Sequence, residues 1–168
     1  MRSHLLDPCT FIRVQTWNSY ATPNQEVEIA LGTSWPRETG RIAIGRAHVL
    51  CIGPTEWLVT ATDIDAKALH QQLENAFEGS TFRATNVSQA LTRIEVQGTE
   101  ARALLLKGCA LDLHPSRFPP GRCARTRFAA LPTVLRCTGP TNFECVVASS
   151  YRDYLLSWLA DAAEEFLD

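Results

Sequence analysis

A hairpin signature occurs twice in this chain, and that repetition constrains the fold more than any other feature. Cys51-x-Gly53-Pro54-Thr55-x-Trp57 matches Cys137-x-Gly139-Pro140-Thr141-x-Phe143, with the two glycines 86 positions apart (139 − 53), about half of 168 residues. At both places the hairpin runs directly into an amphipathic helical pattern. Two such strand–strand–helix units can bury their apolar faces against one another. The expectation is an α+β fold of mostly antiparallel sheets with helices packed on them, in a single domain over residues 1–168 with an internal pseudo-repeat of roughly 40–88 and 89–168. A chain of this size buries roughly 70% of its unfolded surface, so its core needs no staples.

Period-2 alternation predicts strands over Phe11–Trp17 and Glu26–Leu31, joined by a turn over Asn18–Gln25. Thr33–Gly40 reads as a loop, and strands follow over Ile42–Ile52 and Glu56–Ala61. Next comes a helix capped by Asp63 or Asp65, with Leu69, Leu73, Ala76 and Phe77 on one face and Gly79 just past its end. In the second half, Thr92, Ile94 and Val96 share a strand face, and a helix spans Glu100–Lys107, closed by Gly108. A proline-rich connector, Leu111–Gly121, leads to strands over Cys123–Phe128, Leu131–Cys137 and Phe143–Ala148. Tyr151, Leu155, Trp158, Leu159, Ala162 and Phe166 then form one apolar helical stripe.

Composition excludes several functions. Net charge is −2 and pI about 6.1, without the basic excess of a nucleic-acid binder. No apolar run is long enough to span a membrane. The N-terminus lacks the apolar stretch of a secretory leader, which places the expected location in the cytoplasm. The six cysteines include no C-x-x-C pair. Cys109, His114 and Cys123 follow no zinc spacing and read as strand or loop residues, the thiols buried or half-buried. No nucleophile elbow, dinucleotide fingerprint or phosphate loop occurs. His48, on a strand, and His70, on a helix, read as structural or surface histidines. The acids Asp161, Glu164, Glu165 and Asp168 read as the solvated side of the last helix. No catalytic, cofactor-binding or metal-ligating residue is assigned.

One segment stands apart. From Lys107 to Arg127 the chain reads KGCALDLHPSRFPPGRCARTR, with Arg117, Arg122, Arg125 and Arg127 close together and no acid after Asp112. Pro115, Pro119 and Pro120 stiffen the backbone, which lowers the ordering entropy lost on binding. The predicted partner interface is Leu113, His114, Pro115, Arg117, Phe118, Pro119, Pro120, Arg122, Arg125 and Arg127. From composition alone the alternative also stands: a solvated strand face with ion pairs inside the chain.

The same residues resemble a known family. Lys107-Gly108-Cys109-x-Leu111-Asp112-Leu113-His114-Pro115, continued by Phe118-Pro119-Pro120-Gly121-x-Cys123-Ala124-Arg125-Thr126, is similar to the gamma subunits of heterotetrameric sarcosine oxidase. So are Ile52-Gly53-Pro54-x-Glu56-Trp57-Leu58-Val59 and Ser150-Tyr151-x-x-Tyr154-Leu155-x-x-Trp158-Leu159; the likeness covers roughly residues 40–167. It implies a non-catalytic subunit that stabilises larger alpha, beta and delta partners and binds neither nucleic acid nor membrane. The complex it implies demethylates sarcosine oxidatively to glycine, hydrogen peroxide and 5,10-methylenetetrahydrofolate. FAD, FMN and NAD are then expected in the alpha and beta subunits, tetrahydrofolate in alpha and zinc in delta, with no cofactor in this chain. The implied fold is that of the folate-binding part of aminomethyltransferases. An alternative reading is a stand-alone folate-binding protein of that superfamily. Against it, Lys107-Gly108-Cys109 continues Ala110-Leu111-Asp112, without the rest of the folate-dependent cluster-maintenance signature.

Overall fold

The computed structural model describes residues 2–17, 23–78 and 81–166. The chain divides into two compact units, Pro8–Ser88 and Met1–Asp7 with Gln89–Asp168. Each is built on a five-stranded sheet whose pairings are all antiparallel, with helices on it. The architecture is α+β.

In the unit Pro8–Ser88 the sheet order is β3-β4-β5-β2-β6. Its elements are β2 (Thr10–Thr16), α1 (Gln25–Leu31), β3 (Ile42–Ile44), β4 (His48–Gly53), β5 (Glu56–Ala61), α2 (Ala66–Ala76) and β6 (Phe82–Asn86). Asp65 caps α2, its carboxylate accepting from the Lys67 and Ala68 amides at 2.9 and 3.2 Å. Leu69, Leu73, Ala76 and Phe77 are buried, as the helical spacing requires. The expected Gly79 terminus lies outside the described residues, as does the turn segment 18–22. An aromatic cluster fills the centre: Trp35 lies 5.5 Å from Trp57 and 5.4 Å from Phe77, ring centre to ring centre.

Two expectations are corrected here. Glu26–Leu31 is helix α1, not a strand. Val27 and Leu31, one helical turn apart, are buried, whereas Ile29 between them is 75% exposed. Three alternate apolar residues fit either period, and the ends decide. Asn24 caps the helix by accepting from the Val27 amide at 3.2 Å, and Gly32 closes it in the left-handed conformation at φ 65°. Likewise Ile42–Ile52 is two strands folded back on each other, with Ile42 opposite Leu50. The break falls at Gly45, where a Cβ would run into the Gly32 carbonyl.

In the other unit the order is β1-β7-β10-β9-β8. The elements are β1 (Arg2–Leu5), β7 (Leu91–Gln97), α3 (Ala101–Gly108), β8 (Cys123–Phe128), β9 (Leu131–Gly139), β10 (Asn142–Ala148) and α4 (Arg152–Ala163), with 3-10 turns over Ser149–Tyr151 and Glu164–Phe166. Ile94, Val96, Leu104, Leu105, Leu155 and Leu159 are buried in one cluster. Gly108 is the last residue of α3, and its lack of a side chain serves packing. A Cβ there would sit 2.8 Å from both the Phe128 and Trp158 rings. Tyr151, expected on the buried stripe, lies in the 3-10 turn before α4 and is exposed.

The repeated hairpin has a shared local chemistry. The Cys51 thiol donates to the Gly53 carbonyl at 3.3 Å, and the Cys137 thiol to the Gly139 carbonyl at 3.1 Å. Each hairpin also shifts register at its end. In each hairpin the thiol adds a side-chain bond to the glycine carbonyl at the irregular end of the ladder.

Candidate docking surface

The connector between α3 and β8 carries no helix or strand, yet it is held at many points. Within it, Asp112 accepts from the His114 amide at 2.9 Å. The His114 carbonyl accepts from the Arg117 and Phe118 amides, both at 2.8 Å. The His114 Nδ1 accepts from the Ser116 amide at 3.3 Å and lies 2.8 Å from its hydroxyl. Gly121, at φ 83°, turns the chain so that its amide reaches the Cys137 carbonyl at 3.0 Å.

Arg102 of α3 fastens this loop from the inside. Its guanidinium donates to the Leu113 carbonyl, to the Phe118 carbonyl at 3.2 Å, and to the Cys137 sulfur at 3.7 Å. It also sits 4.8 Å from the centre of the Phe143 ring. Five donors in a rigid fork suit Arg to bridge two main-chain oxygens that no ladder satisfies. Burial raises the Cys137 thiol above its ordinary pKa, and the Arg102 charge partly offsets that shift. Nothing in the sequence reading singled out Arg102. Its one available signal is a cation placed between Ala101 and Leu104 on a helix whose neighbours are otherwise apolar.

The residues of the expected interface divide by exposure. Leu113 and Phe118 are 1% and 3% exposed and belong to the apolar core, so they anchor the loop rather than face outward. Pro119 and Arg122 are half-buried. His114, Pro115, Arg117, Pro120, Arg125 and Arg127 are exposed. Arg125 and Arg127 lie on one side of β8, the outermost strand of its sheet. The Arg127 guanidinium donates to the Ala130 carbonyl at 2.9 Å. Arg122 and Arg125 interact with other groups of the chain. The structure thus brings together a rigid loop and a strand edge with arginine on both.

Two other features bear on chemistry. On the same sheet, Glu144 of β10 is buried beside two guanidiniums, with Arg136 Nε at 3.4 Å and Arg93 Nη1 at 3.5 Å. Arg136 is directly opposite Glu144 in the register, a cross-strand pair that the sequence reading missed. Among the described residues, no group of three or more His, Cys, Asp or Glu side chains comes together to hold a metal ion. Cys109, His114 and Cys123 do not come together as such a group. Cys109 instead places its sulfur 3.6 Å from the Thr126 hydroxyl.

Residues 19–165 match the family model described as sarcosine oxidase, gamma subunit family. The chain is 28% identical over 148 residues to the sarcosine oxidase subunit gamma of Corynebacterium sp. (strain U-96), covering 87% of this chain and 71% of that one. It is 32% identical over 140 residues to the subunit gamma of Arthrobacter sp., covering 82% and 68% respectively. Among solved structures it superposes on heterotetrameric sarcosine oxidase from Corynebacterium sp. U-96 in complex with pyrrole 2-carboxylate. There the TM-score is 0.87 at 25% identity, over 99% of this chain and 85% of that one. The glycine cleavage system aminomethyltransferase T from Bartonella henselae shares the fold, with TM-score 0.65 at 14% identity, over 94% of this chain and 44% of that one.

Proposed function

The chain belongs to the sarcosine oxidase gamma subunit family, and from that membership we propose that it acts as a non-catalytic subunit that stabilises the larger members of a heterotetrameric complex. Its partners in this reading are the alpha, beta and delta subunits. The complex demethylates sarcosine oxidatively in the cytoplasm, with FAD, FMN, NAD, tetrahydrofolate and zinc carried by the partners. The observation that supports this most directly is the loop over 111–121. Arg102 and the core residues Leu113 and Phe118 fix it from within, while His114, Pro115 and Arg117 face outward. A surface ordered before contact loses little entropy on docking, which is what a permanent subunit interface needs.

Reconstituting the complex with each subunit omitted in turn tests the proposal. Omitting this chain is expected to lower the yield and thermal stability of the assembly while leaving the flavin absorption spectrum of what assembles unchanged. A shifted or bleached flavin spectrum would count against a purely structural role. Micromolar binding of tetrahydrofolate by the isolated chain in a calorimetric titration would favour the folate-binding alternative instead.

A further inference from the structure

We propose that the outer edge of β1, with the groove beside it, receives an extended, carboxylate-bearing segment of a larger subunit, which joins the sheet as an added strand. This rests on the subunit reading above. Among the described residues, β1 ends its sheet and pairs on one side only, with β7. The Leu6 amide donates to the Arg93 carbonyl at 3.0 Å, which sets the phase of the antiparallel ladder. Arg2 and His4 therefore turn their main-chain groups toward β7, and Ser3 and Leu5 turn theirs outward. A row of alternating N–H and C=O groups is matched by another extended main chain.

The ground beside that edge is shaped for side chains. A groove of about 680 Å³ is lined by Ser3, Val96, Leu104, Ala160 and Ala163 among others. Ser3 is in register with Val96 and Leu5 with Ile94, so this is the face that the helices cover. Alternate side chains of an added strand would point into the groove, where two alanines of α4 leave room for apolar groups. Leu5, 43% exposed, offers an apolar neighbour along the same edge.

Charge narrows the occupant further. Arg2 lines both this groove and a recess of about 360 Å³ that it shares with Gln97, Gly98, Thr141 and Asn142. Among the described residues, the other ionisable side chain lining either cavity is His4, whose ring faces Glu95 at 3.6 Å, and no carboxylate lines them. A carboxylate opposite Arg2 completes the fit through a charge-assisted, two-point contact. A second copy of this chain fits less well. Stable interfaces bury about 800 Å² per partner, more than a four-residue edge supplies. A segment of a subunit already docked through the 111–121 loop needs no such area, because tethering raises its local concentration.

Residue-resolved hydrogen–deuterium exchange on the full chain, alone and co-assembled with the alpha, beta and delta subunits, tests this. The Ser3 and Leu5 amides are expected to exchange at least about tenfold more slowly in the complex. The variant Arg2→Glu should assemble and lose most of that slowing. Assembly with both amides unslowed would overturn the added strand and leave the subunit reading intact. Failure to assemble would overturn both. Slowing in the isolated chain that grows with its concentration would make a second copy the occupant and refute the proposal.

Discussion

Arg102 shows how one side chain decides whether a loop is a surface or merely a connection. The carbonyls of Leu113 and Phe118 point into the protein beneath the loop and have the Arg102 fork as their common donor. Replacing it with methionine keeps the aliphatic stem and removes every donor. A charged hydrogen bond lost from partly buried acceptors costs about 1–3 kcal/mol. For Arg102→Met we expect a loss of stability in that range by urea denaturation, together with faster amide exchange at Arg117 and Phe118. Unchanged loop exchange would show that the internal bonds of His114, Asp112 and Ser116 hold the loop without it. Arg102 was illegible in the sequence for a physical reason. Its partners are main-chain oxygens 11 and 16 residues away, and main-chain oxygens leave no mark in composition. The charged pair Arg136–Glu144 was readable in principle, because the paired strands of a hairpin place those residues opposite each other once its register is known.

At the level of elements, legibility followed length and the clarity of the ends. α2 was readable because an Asp cap and a four-residue apolar spacing agree. α1 was not, because seven residues hold too little of either period. β1, Arg-Ser-His-Leu, carries almost no strand signal, since its register with β7 and not its own side chains makes it a strand. The β8–β9 hairpin turns through Ala129 and Ala130, both in the left-handed region at φ 47° and 65°. Such a two-residue turn ordinarily uses Asn-Gly, because a Cβ is strained there. The strain is held in place by neighbours: the Ala129 amide donates to the Gly108 carbonyl at 3.0 Å, and the Tyr154 hydroxyl donates to the Ala129 carbonyl at 3.3 Å. Ala129 is buried and packed, while Ala130 is exposed. Ala130→Gly should therefore relieve strain without opening a cavity, and the gain is offset only in part by the freer unfolded chain. A stabilisation of roughly 0.5 kcal/mol is expected, read as a higher urea midpoint with an unchanged slope. A lower midpoint would mean that the Ala130 methyl makes contacts worth more than its strain.

On the scale of the whole chain, a protein of net charge −2 concentrates arginine on one loop and one sheet edge. The aminomethyltransferase likeness accounts for the fold but not for this charge, since a shared architecture carries no site with it. Two explanations remain in competition: a docking surface, or a solvated face whose arginines are engaged internally. Arg122 and Arg125 already interact within the chain, so they discriminate poorly. Arg117 and Arg127 are exposed, and Arg127 uses one nitrogen on a carbonyl of its own turn. Reversing both, Arg117→Glu with Arg127→Glu, leaves the core untouched and inverts the local field. If the surface docks an acidic partner, association with the larger subunits should slow roughly ten- to a hundredfold at low ionic strength. The difference should shrink as salt is raised, because the screening length falls from about 10 Å at 0.1 M to about 3 Å at 1 M. Association rates measured by stopped-flow across that salt range check both parts at once. Equal rates for the two proteins at low salt would return these arginines to the solvent. A deficit that persists unchanged at high salt would point to lost packing contacts instead of lost charge attraction.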